Sequence, residues 1–117
     1  MPKLRPLIVG VLACLALAAP LTVVTASASA ASKPNAVTVK TFRFRPGTLH
    51  VAAGSKVTWT NRDSIEHTVT SVDGAPQAFN GRLNGAGKKF RVRFDAPGTY
   101  EYFCSRHTSM HGTVVVR

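Results

Sequence analysis

From Pro34 to the C-terminus the chain alternates apolar and polar residues in short runs, and the breaks between runs carry Gly, Pro, Asn or Asp. A period of two sends one side of a pleated strand into a core and the other into water. On that basis residues 37–40 and 42–44 read as strand, as do 49–51, 57–60, 67–70, 90–94, 100–103 and 113–116. Turn chemistry separates the runs at Pro46-Gly47, Ala53-Gly54-Ser55, Asn61-Arg62-Asp63 and Ala96-Pro97-Gly98. No stretch of this region has helical periodicity. About seven to eight short strands predict an all-β fold, an antiparallel Greek-key sandwich of two sheets. Trp59, Phe42, Phe44, Phe94 and Tyr102 are its large core candidates. Residues 73–89 hold Gly74, Pro76, Gly81, Gly85 and Gly87, too many breakers for a strand, and predict a long loop with at most one helical turn.

The first thirty residues follow another pattern. A basic start, MPKLRP, precedes the apolar run 7–24 and then the small residues TASASA, the order of a secretory signal peptide with cleavage after Ala28 or Ala30. The run from Leu7 to Val24 is also long enough for an uncleaved membrane anchor, and Val11-Leu12-Ala13-Cys14 resembles a lipobox. Pro20 and the small polar residues after it favour cleavage, and an apolar run that continues past Cys14 speaks against acylation. The expected organisation is a leader over 1–30 and one domain over 31–117, exported to the periplasm, cell envelope or extracellular space. A domain of this size buries enough surface to fold unaided.

Export changes what the cysteines mean. Of two Cys, Cys14 lies in the leader, so Cys104 is alone in an oxidising compartment, where a thiol calls for burial or a metal. The chain carries 15 Lys plus Arg against 5 Asp plus Glu. Without Lys3 and Arg5 the balance is still 13 against 5, an excess of +8. Such an excess often means nucleic acid. Export argues against that, and Lys40, Arg43, Arg45, Lys56, Arg91 and Arg93 fall on alternating stretches with no helical stripe. They read as solvated strand faces, with docking on an anionic envelope surface or an acidic partner as the alternative.

The remaining Cys and the single Met of the domain fall with a His in one seven-residue window, Cys104-Ser-Arg-His107-Thr-Ser-Met110. A thiolate, an imidazole and a thioether at steps of three form a soft donor set suited to copper. One loop cannot complete a trigonal site of two His and one Cys, so a second His must come from elsewhere. His67 is the candidate, because it opens the strand after the Asn61 to Glu66 turn and Cys104 ends the strand before it. Singly, a Cys is usually a small hydrophobe, a strand His a surface residue and a Met core filler; their joint spacing carries the metal reading. His50 alternates outward between Leu49 and Val51. His111 competes with His107, but a separation of three from Cys104 suits one tight loop. Glu66 beside His67 raises a hydrolytic zinc site with a general base, yet adjacent strand residues face opposite sides.

The pattern C-x-x-H-x-x-M followed by Gly112 and a Val-rich strand, with N-x-D-x-x-x-H-T-V-T upstream, resembles the small blue copper proteins of the cupredoxin family. Within it the chain is most similar to the plastocyanin, pseudoazurin and amicyanin group, and to the amicyanins in particular because Met follows His by three. The likeness spans residues 36–117, including F-x-P-x-x-L-x-V-x-x-G-x-x-V-x-W-x-N at Phe44 to Asn61. The resemblance implies one type 1 copper ion bound by His67, Cys104, His107 and Met110, no catalytic residues and no enzymatic turnover. It implies a backbone amide at Thr68 on the Cys104 sulfur and an electron path through His107 at an apolar rim of Thr108, Met110 and Phe79. It also implies transient contacts with redox partner proteins by a monomer that binds no nucleic acid. Relatives commonly place Pro after the second His, where this chain has Thr108, and Asn where it has Thr68. Ser105 and Asn61 are polar residues beside the ligand segments, expected to hydrogen-bond across and fix the loops. Copper carriage without electron shuttling is the alternative function, weakened by the absence of a Met-rich or His-rich tract, and a metal-free binding module is a third.

Overall fold

The computed structural model describes residues 3–4, 10, 13–23 and 35–117. The expected cleavage positions Ala28 and Ala30 lie outside them, and Cys14 is exposed and unpaired. The chain divides into two units, residues 1–31 and 32–117. Among the described residues no helix is long and apolar enough to cross a membrane.

The second unit has nine strands: β1 Ala36–Lys40, β2 Arg43–Arg45, β3 Thr48–Val51, β4 Ser55–Asn61, β5 Glu66–Ser71, β6 Asn80–Asn84, β7 Lys89–Phe94, β8 Gly98–Phe103 and β9 His111–Val116. They form a four-stranded sheet, β2-β1-β4-β7, and a five-stranded sheet, β3-β9-β8-β5-β6. The all-β two-sheet expectation therefore holds, with three corrections. The sheets are mixed, because β1 runs parallel to β4 and β3 parallel to β9. After β2 the chain crosses at Pro46-Gly47 to the other sheet, so β3 enters beside the last strand and not beside its predecessor. The second correction is β6, which lies inside the segment expected to be a loop. Leu83 points inward and is fully buried, and Gly81 sits where a Cβ would collide with the Phe90 ring, so this glycine keeps a strand close to β7.

The third correction concerns Phe42. Residues 37–44 make two strands with Thr41 and Phe42 as a two-residue turn, both at positive φ (50° and 57°). That is the hairpin geometry whose twist suits the flanking strands, but it disfavours residues other than Gly, Asn and Asp. Phe42 is consequently 49% exposed and outside the core.

Alternation builds the interior as the sequence pattern implies. Val37, Val39, Phe44, Val57, Trp59, Val92 and Phe94 face inward from one sheet, and Val69, Leu83, Tyr100, Tyr102 and Val114 from the other. Trp59 meets the Tyr102 ring edge-on at 5.4 Å between centroids, and Phe44 meets it at 4.8 Å. Opposite Tyr102 in the ladder stands Gly112, where a Cβ would overlap the phenol ring. Because Tyr102 is fully buried among aromatics it cannot move aside. Gly112→Ala is expected to cost about 1–3 kcal/mol through overpacking, read as a lower urea midpoint with unchanged slope.

Candidate metal centre

One end of the sandwich gathers three segments: the β1–β2 turn, the Asn61–Glu66 connection and the Cys104–Met110 loop. Cys104 leaves β8 fully buried. Its loop closes by steps of three, with the His107 amide donating to the Cys104 carbonyl (3.3 Å) and the Met110 amide to the His107 carbonyl (2.9 Å). The Cys104 amide donates back to the Met110 carbonyl at 3.1 Å. Successive turns of this kind fold residues 104, 107 and 110 close together along the loop, the structural content of the C-x-x-H-x-x-M spacing. The closure is intact with Thr108 after His107. Met110 is buried with the core, His107 is half-buried, and His67 on β5 is fully buried.

The structure brings His67, Cys104 and His107 together, their donor atoms all within 4.8 Å of one another. The Cys104 Sγ stands 3.9 Å from His67 Nδ1 and 3.6 Å from His107 Nδ1. Donors spread trigonally around one first-row ion, at about 2.0–2.1 Å for nitrogen and about 2.3 Å for sulfur, would be about 3.8 Å apart. The set therefore fits a metal ion in size. It also fits in protonation. His67 Nε2 donates to Asp63 Oδ2 at 2.8 Å, which leaves the Nδ1 lone pair facing the sulfur. Burial acts to raise the Asp63 pKa, but the amides of Phe42 and Thr41 and the His67 ring together hold it below its ordinary 3.8, so the group is a carboxylate acceptor. The Thr68 amide donates to the Cys104 sulfur at 3.3 Å, as the resemblance implies.

Two polar residues fix the loops by different routes. Ser105 reaches across, its amide donating to Thr68 Oγ1 (2.7 Å) and its hydroxyl bonding the same oxygen (3.0 Å). Asn61 does not reach that loop. Its fully buried amide group donates to the carbonyls of Ile65 (2.7 Å) and Leu83 (2.9 Å), and its Oδ1 accepts from the Asp63 amide (2.9 Å), which pins the connection that presents His67.

Asp63 and Phe42 belong to the site and escaped sequence reasoning. The carboxylate of Asp63 accepts from the amides of Thr41 (2.8 Å) and Phe42 (3.1 Å) while holding His67, so one side chain offsets the strained turn and orients a donor. The Phe42 ring then stands edge-on to both imidazoles, 5.4 Å from His67 and 4.9 Å from His107. The only hint in the sequence is the Asp of N-x-D. Phe79 lies in the core against Trp59 and Phe94, and Met110 is buried, so neither forms an exposed rim. Phe42 and Ile65 (39% exposed) supply the apolar surface beside His107 instead. Glu66 points away from His67 and pairs with Arg82 (2.6 Å) and Arg106 (2.9 Å); Arg82 chiefly holds its carboxyl below the usual range. Glu66 is therefore not placed to act on a group held at His67. His50 and His111 are exposed, the latter tilted against Phe103.

Residues 31–117 match the family described as copper binding proteins, plastocyanin/azurin family. Amicyanin-alpha of Methylorubrum extorquens is 37% identical over 82 residues, covering 68% of this chain and 69% of that protein. Plastocyanin of Scenedesmus fuscus is 33% identical over 84 residues, covering 63% of this chain and 86% of that protein. Among solved structures, a purple cupredoxin from Nitrosopumilus maritimus superposes with a TM-score of 0.64 at 32% identity, covering 70% of this chain and 98% of its own. The chain belongs to the plastocyanin/azurin family of copper-binding proteins, and its cofactor is a single type 1 copper ion.

Proposed function

We propose that this protein is an exported one-electron carrier, in which His67, Cys104, His107 and Met110 would hold a copper ion. Copper supplies the one-electron change; the chain supplies a frame that does not rearrange. The observation that carries this reading is the spacing of the three donor atoms, with the His67 ring held by Asp63, the Cys104 sulfur by the Thr68 amide and His107 by the backbone bonds of its loop. A donor set already at trigonal spacing suits both oxidation states and lowers the cost of switching between them. Four protein donors leave no position for a substrate, so no turnover is proposed. Electrons pass at His107, where Phe42 and Ile65 offer a small apolar contact to redox partner proteins, and encounters there are short-lived. The protein acts as a monomer outside the cytoplasm.

The test is the visible spectrum. Adding Cu(II) is expected to produce an intense band that ascorbate bleaches and a mild oxidant restores. A titration that leaves the solution colourless overturns the reading. Met110 is tested separately by its potential. As a weak thioether donor it would stabilise Cu(II) more than Cu(I), so Met110→Leu is expected to stay blue at a higher potential and Met110→Gln to fall to a lower one. Voltammetry giving Leu and parent the same potential would reduce Met110 to core packing, since that exchange nearly conserves volume.

A further inference from the structure

The outward face of the four-stranded sheet plays no part in the copper site, and its charge is one-sided. Strand alternation places Arg43 and Arg45 of β2 and Lys40 of β1 on this face, all exposed. Across the sheet the same face carries Lys56 of β4, then Lys89, Arg91 and Arg93 of β7. Its other outward positions are Ala36 and three threonines, Thr38, Thr58 and Thr60. No outward strand position on this sheet is acidic. Of the seven cations on this face Arg93 alone has a carboxylate partner among the described residues, Asp95 at 2.7 Å, beyond the end of its strand.

The register makes this arrangement costly. Lys40 stands directly opposite Arg43, and Lys56 directly opposite Arg93. Like charges facing each other across a ladder destabilise a sheet. The acids free of such pairs lie elsewhere: Glu101 is outward on β8 of the other sheet, beside Asp73. The domain is thus polarised across its two sheets, and a plane of negative charge would both relieve the repulsion and orient the molecule.

We propose that the outward face of the four-stranded sheet docks on the headgroup layer of an anionic phospholipid bilayer. A protein partner is the less suitable occupant. Protein contacts centre on aromatic or aliphatic anchors, and this face has no side chain more apolar than Ala36. A headgroup layer needs only distributed cations near the surface. The face is also flat and wide, its outer strands about 14 Å apart at the usual spacing of about 4.8 Å. The exposed large hydrophobic residues of the domain, Phe42 and Ile65, sit beside His107 at the end of the sandwich. Docking by the sheet face would leave that end turned sideways and open to partners held at the same membrane. None of these charges depends on copper.

All nine strands and the whole core lie within the compact unit of residues 32–117, so that segment serves as the test protein and excludes the apolar run 7–24. Co-sedimentation is measured with vesicles of equal parts phosphatidylglycerol and phosphatidylcholine, and with phosphatidylcholine alone. Binding is expected only to the former and only at low salt, disappearing between about 0.05 and about 0.5 M. The triple variant Arg45→Gln, Lys56→Gln, Arg91→Gln is expected to lower partitioning on the order of a hundredfold. A control triple, Arg82→Gln, Arg106→Gln, Arg117→Gln, removes equal charge outside the face and is expected to stay within a few-fold of the parent. Near-ultraviolet circular dichroism of Trp59 checks the fold, and Arg91→Gln alone, expected at about a fivefold loss, serves if the triple does not fold. Equal losses in the two triples, or no binding by the parent, would overturn the proposal. Face-dependent binding to polyglutamate with none to vesicles would also overturn it, in favour of an acidic protein.

Discussion

Cys104→Ser is expected to abolish the intense visible band of the Cu(II) protein while the sandwich stays folded. The two halves of that expectation have separate causes. The band requires a thiolate bound to Cu(II), and Cys104 is the only cysteine of the 31–117 domain, so no other residue can supply it. Folding does not require it. The side chain is fully buried, but a serine oxygen is smaller than sulfur and still accepts from the Thr68 amide that now reaches the thiol at 3.3 Å. The cost to the apo domain is therefore about 1 kcal/mol. Titrating the variant with Cu(II) beside a urea melt checks both halves. A variant that still turns blue would mean that Cys104 is not the donor, whatever the geometry around it. A variant that fails to fold would show instead that the sulfur is needed for packing.

What the sequence made legible here is what local spacing encodes. Alternation located the core strands, and the residue types of the 104–110 window located three prospective donors because turns with a step of three fold them close together. His67 was reachable by elimination and strand order. The features it concealed depend on pairing across the fold. Gly81 reads as a breaker until β7 is beside it, where the missing side chain makes room for Phe90. Parallel pairing of β1 with β4 leaves no local signature, since both strands alternate in the same way whichever direction their neighbour runs. Phe42 reads as core by hydrophobicity alone. Its exposure follows from a left-handed turn stabilised by a carboxylate 21 residues further along the chain, which no period within a window can register. The basic sheet face was concealed in the same way: scattered along the sequence, its cations become neighbours only through the register.

Removing that carboxylate is the second large perturbation expected. Asp63→Ala deletes the acceptor for the Thr41 and Phe42 amides and for His67 Nε2 at once. Hydrogen bonds to a charged acceptor contribute about 1.5–3 kcal/mol where water is excluded, but the Asp63 side chain is 16% exposed and its bonds partly face solvent. A loss of about 2–3 kcal/mol in stability follows. Copper affinity should fall by about ten- to a hundredfold, because the His67 tautomer and ring angle are no longer fixed. Asp63→Asn divides these effects in part: its carbonyl oxygen can still accept from the Thr41 amide, while its amino group replaces the oxygen that serves both the Phe42 amide and His67 Nε2 and meets two donors there. It should recover only part of the stability and little of the affinity.

Acid supplies the independent check on the charge itself. The folded-state pKa of Asp63 lies below its ordinary 3.8, so the folded state favours the ionised form and the stabilisation is complete only above that ordinary value. As pH falls from there through the lower folded-state pKa, the folded protein gives up its advantage to the unfolded chain, which takes up the proton first. Urea midpoints of parent and Asp63→Ala, measured in the metal-free form, should therefore differ most near neutrality and converge below about pH 3.8. A gap that stays constant into acid would mean that the side chain acts by volume and not by its charge. In that case the left-handed Thr41–Phe42 turn, and with it the placement of the Phe42 ring over both imidazoles, would need another source of stabilisation than the one the hydrogen bonds indicate.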